Sequence, residues 1–166
     1  MEFAMDIRNL NGNKLIPFKI FRLRKSRRTK RINYSRQLSW AEYARVRKGL
    51  FPLSPSDKWL IFFHHGTLHF CRSGNGTLVY KLRFRHQEQG FEASEAWVND
   101  DPEQIDPLPE NYESRLLDYL IDRLLLNREA KFPLPEGTSR EEGAMLERIW
   151  MGDCRTGTGI GTITRK

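Results

Sequence analysis

Between Asp57 and Asn99 the apolar positions fall into four runs, Trp59 to Phe63, Leu68 to Cys71, Leu78 to Phe84 and Phe91 to Val98. They are separated by His65-Gly66, by Gly74-Asn75-Gly76 and by the polar stretch Arg85 to Gly90. Glycine and asparagine accept the positive φ that tight hairpin turns require, so the pattern predicts an antiparallel β-meander. Trp59, Ile61 and Phe63 share one face of the first strand, and Leu60 and Phe62 the other. On the third strand Leu78, Tyr80, Leu82 and Phe84 make one apolar face, opposed by Thr77, Lys81 and Arg83. One side of the sheet is thus a core face, and the other is expected to be only partly covered.

Helical spacing appears on both sides of this stretch. Ser39-Trp40-Ala41-Glu42 has the capping-box pattern and predicts a short helix from Trp40 to about Lys48, stopped by Gly49, with Trp40, Tyr43 and Ala44 on one face. After the acidic, proline-broken loop from Asp100 to Glu110, Leu116, Leu117, Leu120, Ile121, Leu124 and Leu125 recur at helical spacing, with Asn111 as the expected cap. Ser139-Arg140-Glu141-Glu142 is a second capping box, and its helix is expected to end near Met151 and to bury Met145, Leu146, Ile149 and Trp150. The fold class expected is α+β: an antiparallel meander of about four strands packed by two C-terminal helices, with a short helix before the sheet.

Charge divides the chain. Lys14 to Lys48 carries thirteen Lys and Arg against one acid, Glu42, a net +12; the rest has fifteen basic and twenty acidic residues, a net −5, for +7 in all. Lys19 to Arg31 holds eight basic side chains and no acid, with no apolar periodicity after Leu23. That predicts a flexible basic arm over 1–38, a single α+β domain over 39–151 and a flexible glycine-rich tail over 152–166. Within the arm, Arg22, Arg24, Lys25, Arg27, Arg28, Lys30 and Arg31 are candidates for binding nucleic acid or another polyanion; the plainer reading is a solubilising leader.

Other chemistry is sparse. No apolar run approaches the roughly 20 residues that span a bilayer. The N-terminus lacks a secretory pattern, so no membrane span and a cytoplasmic location are expected. The opening MEFAMDI reads in part as vector sequence. Cys71 and Cys154 lie far apart in unlike settings, and no disulfide is expected. His64 and His65 are adjacent, so on a regular strand they point to opposite faces; no metal and no cofactor are expected. The Gly157 to Gly161 run lacks the strand and helix that a phosphate loop needs. Cys71 and His69 form an i, i+2 pair without a third orienting group, and a cysteine in an aromatic strand is ordinarily core.

The run DKWLIFF, GTLHFCRS, GTLVYKLRF, SEAWVN and YESRLLDYLIDRLLLNREAKFPLP, over about 57–135, resembles an uncharacterised bacterial small domain. That domain is found alone or attached to ADP-ribosylglycohydrolase-like proteins, and its pattern includes F-H-R-S-W-T-G and E-A-W. Trp59, Phe70, Arg72, Ser73, Gly76, Glu95, Ala96 and Trp97 match it. Cys71 stands where the family has His, Gly74 where it has Trp and Asn75 where it has Thr. The resemblance implies no established activity; it brings an ADP-ribose-like ligand into view.

Arg72, Trp59, Glu95, Trp97 and His69 are the ligand-site candidates. An arginine at a hairpin end beside tryptophans suits a phosphate or carboxylate, with an indole stacking on a ring. The competing reading makes Arg72 and Glu95 a buried ion pair in an ordinary core. The function expected is a non-catalytic binding or accessory module. Its alternatives are nucleic-acid binding through 19–31, a protein partner, and an enzyme acting on an ADP-ribose-like ligand.

Overall fold

A computed structural model describes residues 3–5 and 21–152. In chain order its elements are β1 (Phe3–Met5), β2 (Phe21–Leu23), β3 (Thr29–Ile32), β4 (Arg36–Leu38), α1 (Trp40–Val46), β5 (Trp59–His64) and β6 (Thr67–Arg72). Then follow β7 (Leu78–Gln87), β8 (Gly90–Asn99), α2 (Glu110–Leu120), a π-helical turn (Ile121–Leu125) and α3 (Arg140–Met151). β1 pairs with β2, while the other strands make one antiparallel sheet in the order β3-β8-β7-β6-β5, with β4 also paired to β8. No described helix is long and apolar enough to cross a membrane.

The hairpin chemistry read from the sequence sets the central register. His64 faces Thr67 across a two-residue turn in which His65 has φ 46° and Gly66 φ 75°. Both residues on the positive side of φ is the turn whose twist matches that of the flanking strands. Gly90 answers a different need: a Cβ there would lie 2.1 Å from the Leu38 carbonyl oxygen, so β4 approaches β8 this closely only over a glycine.

The sheet has six strands where about four were expected, and the fold is α+β. The added strands lie inside the predicted flexible arm. Thr29–Ile32 pairs with β8 from Asn99 to Ala96, and Arg36–Leu38 pairs with it from Ala93 to Phe91. The boundary drawn at Ser39 therefore runs through the sheet. Charged residues on a strand read as a solvated arm, yet lysine and arginine are how sheet edges are kept from pairing with other chains. Only Ile32, Tyr34 and Leu38 in this segment are buried apolar positions. The predicted tail beyond Gly152 lies outside the described residues, as do Cys154 and the Gly157 to Gly161 run.

The core lies on one side of the sheet. Ile32, Trp59, Ile61, Leu68, Phe70, Tyr80, Leu82 and Ala96 meet Leu116, Leu117, Leu120 and Ile121 of the long helix and Val46 of α1. Among the described residues the apolar cluster on the other side is small, Leu60, Phe62 and Cys71 under Leu23, Phe51 and Leu78. Both capping boxes form, Ser39 with Glu42 and Ser139 with Glu142. Asn111 does not cap α2, because the helix begins at Glu110, two residues earlier than that cap implies, behind Pro109, whose fixed φ suits a helix entry. The Leu-rich helix widens at its end, with the Leu126 N–H donating to the Ile121 carbonyl at 3.0 Å; the wider turn keeps Ile121, Leu125 and Leu126 all buried. Arg36 of β4 fastens this helix through Asp118 at 3.1 Å and Asp122 at 2.5 Å.

Candidate functional site

Arg72 is the last residue of β6 and faces Trp59, the first of β5, so the two share the core side at the sheet's end. There α3 delivers Trp150. The guanidinium carbon of Arg72 lies 4.5 Å from the Trp59 ring centroid and 4.3 Å from that of Trp150. The indoles stack 5.9 Å apart at 20°, so the guanidinium rests against both ring faces. The Trp150 carbonyl accepts twice, from Trp59 Nε1 at 2.7 Å and from Arg72 NH1 at 3.2 Å. It lies in the last turn of a helix, where the backbone dipole favours a cation.

Among the described residues no carboxylate pairs with Arg72. Burial pushes its pKa down to about 10, still protonated at neutral pH. A mostly buried cation held by π faces and one carbonyl keeps donors for something else. They open into a broad cleft of about 1080 Å³ between the β6–β7 hairpin and α3, whose walls include Lys58, Arg148, Glu141, Met145 and Ile149. The hairpin tip is fixed: Ser73 Oγ donates to the Asp57 carbonyl, and Asn75 Oδ1 accepts from the Thr77 N–H at 3.0 Å.

The proposed Arg72–Glu95 pair does not form. Glu95 sits on β8, two strands away on the opposite side, and meets Arg83 at 3.3 Å, its cross-strand partner on β7. Nor are the two indoles open to a ligand ring, because Arg72 occupies them and Trp59 is 1% exposed. α3 also departs from expectation. Trp150 and Met151 are buried and Leu146 half-buried, but Met145 is 66% exposed and Ile149 51%, one turn apart on the helix face that lines the cleft. The apolar stripe was visible in the sequence; which part of it meets the core depends on where α3 docks.

The remaining candidates fall elsewhere. His69 and Trp97 are on the opposite sheet face, His69 stacked on Phe62 at 5.0 Å and Trp97 flanked by Lys81 at 5.4 Å and Arg83 at 5.6 Å. Desolvation holds the His69 pKa down at about 4. Burial pushes the Cys71 thiol up to about 12, so the pair has no thiolate at neutral pH and carries no nucleophilic chemistry. Of the arm residues, Arg24 joins the hairpin through its backbone, with its N–H donating to the Gly76 carbonyl at 2.8 Å. Arg27 lies 3.9 Å from Glu103 and Arg28 3.4 Å from Asp100, both at the surface. Lys30 and Arg31 belong to β3; Lys25 lies between it and the hairpin contact, and the side chain of Arg22 lies outside the described set. Sequence reasoning reached Arg72 and Trp59 but missed Lys58, the neighbour of Trp59, and also Trp150 and Arg148, which α3 brings from a distant segment. No family model matches the chain, and neither does a curated protein or a solved structure.

Proposed function

We propose that the protein is a small non-catalytic binding module that takes an anionic group at Arg72. The observation that carries this reading is the mostly buried guanidinium seated on Trp59 and Trp150 without a carboxylate partner, at the floor of a cleft. Lys58 and Arg148 add positive charge to the walls, against Glu141 among the described residues. Met145 and Ile149 present an apolar surface beside it. The ligand that fits this chemistry has a carboxylate or phosphate for the bidentate guanidinium and an aliphatic portion for α3. An ADP-ribose-like ligand would bring phosphates to the same arginine, but its adenine finds neither indole free at this cleft.

Tryptophan emission tests the proposal, because two of the four indoles touch the arginine. Titration with hexanoate, benzoate and inorganic phosphate is expected to shift wild-type emission saturably, with the carboxylates that carry an apolar group binding tightest. Arg148→Ala and Met145→Ser, both at exposed positions, are expected to weaken that shift. No saturable change with any of the three anions, or changes indifferent to both substitutions, would overturn the reading.

A further inference from the structure

The side of the sheet away from the helices carries an ordered array of rings and cations that the Arg72 cleft does not use. The register places Phe62 of β5, His69 of β6, Lys81 of β7, Trp97 of β8 and Arg31 of β3 opposite one another in succession. Side chains that share a register row in an antiparallel sheet share a face, so these five form one line across it. With strands about 4.8 Å apart, the line is roughly 19 Å long. Phe62 is 5% exposed and covers one face of His69, and Lys81 and Arg83 lie over Trp97 at 5.4 and 5.6 Å, so a base reaches the uncovered face of His69 and takes the place of a cation on Trp97, which then turns to the phosphate.

We propose that this face docks single-stranded nucleic acid, with bases against the imidazole and indole and phosphates against Lys81 and Arg31. Charge complementarity carries the choice of partner. Among the described residues neither Lys81 nor Arg31 has an ion pair, whereas the acids on this face are already engaged, Glu95 by Arg83 and Glu92 by Arg85. A sheet face that alternates aromatic rings with cations suits splayed bases, since every base has a π face and every nucleotide a phosphate. A duplex hides those faces, so the array discriminates by strandedness.

The basic segment borders this surface. Leu23 packs over Leu60 and Cys71 at one end of the face. Arg24 then bonds to Gly76 and Leu78, and Ser26 Oγ donates to Asn99 Oδ1 at 2.7 Å, so the chain crosses the strand ends before entering β3. Residues 24–31 thus form a cationic rim beside the rings, where the sequence alone offered a basic arm. Among the described residues no helix packs on this side.

Fluorescence anisotropy with a labelled poly-thymidine dodecamer and a dodecamer duplex separates the face from the rim. Trp97→Ala is expected to weaken single-strand binding by about 5- to 100-fold, the value of one stacked base, and to leave duplex binding within about twofold. Trp97→Phe should keep most of the affinity. Arg31→Ala, at an exposed edge position that the core does not need, should lower the salt slope for the single strand by roughly one contact's share. Absence of single-strand binding by wild type would overturn the proposal, as would equal losses for strand and duplex in Trp97→Ala, which would assign binding to the rim alone.

Discussion

The Arg72 guanidinium carbon lies 4.3 Å from the Trp150 ring centroid, and its NH1 donates to the carbonyl of that same residue at 3.2 Å. One arginine therefore touches the end of α3 at both ring face and backbone, and among the described residues no carboxylate pairs with it. Trp59 makes the same carbonyl its acceptor, so strand, helix and cleft meet at a single oxygen. Lysine cannot replace this arginine: an ammonium lacks the planar face that rests on two indoles.

Ile32 tests whether the basic segment is part of the fold. Its side chain is 3% exposed and opposite Ala96, within a strand that composition alone reads as solvated. Ile32→Ala should lower unfolding free energy by about 2–5 kcal/mol in urea denaturation, as for other buried aliphatic truncations. A change within error would place β3 outside the cooperative unit.

Tyr80 and Glu113 form a buried polar pair in the core, with the phenol donating to the carboxylate. Burial raises the Glu113 pKa, so ionisation opposes folding: stability from this group is present below the ordinary carboxylate value of 4.5 and is lost as pH rises through the elevated one. Among the described residues Tyr80 is the hydrogen-bond donor to that carboxylate, so Tyr80→Phe should cost about 1–3 kcal/mol at neutral pH. Tyr80→Phe with Glu113→Leu should recover much of it, and a purely additive double mutant would contradict the pairing.

His69 gives the protein an acid-side sensitivity of its own. Its pKa is held at about 4 against an ordinary 6.5, first by desolvation, with His64 and Lys81 as repelling neighbours. Neutral imidazole is the form the fold favours, so this stability is complete above about pH 6.5 and is lost as pH falls toward 4, by an amount on the order of 3 kcal/mol. His69→Phe, which keeps a ring against Phe62, should flatten the decline in thermal midpoint between those values. An unchanged pH profile would show that His69 is not its source.

The fold was legible where the local signals agreed. Turn glycines, alternating apolar residues and two capping boxes fixed the meander and the starts of α1 and α3 within a residue or two. It was illegible where tertiary context decides. A strand reading TKRI has one apolar residue in four, and only its pairing with β8 makes it a strand. Arg72 and Trp59 were found because they flank the same hairpin, but Trp150 lies 91 positions from Trp59 and no local pattern links them. Glu95 seemed the natural partner for Arg72 by charge, yet alternation puts it on the other face.

Whether the Arg72 charge serves a ligand more than the fold is answered most directly by the stability of Arg72→Met. Methionine fills similar space against Trp59 and Trp150 without a desolvated charge, and replacing an uncompensated buried ion by an apolar side chain of like volume is neutral or stabilising. Urea denaturation of Arg72→Met should therefore give an unfolding free energy equal to wild type within about 1 kcal/mol, or higher. A loss of about 3 kcal/mol or more would show that the guanidinium is a structural strut and contradict the anion site.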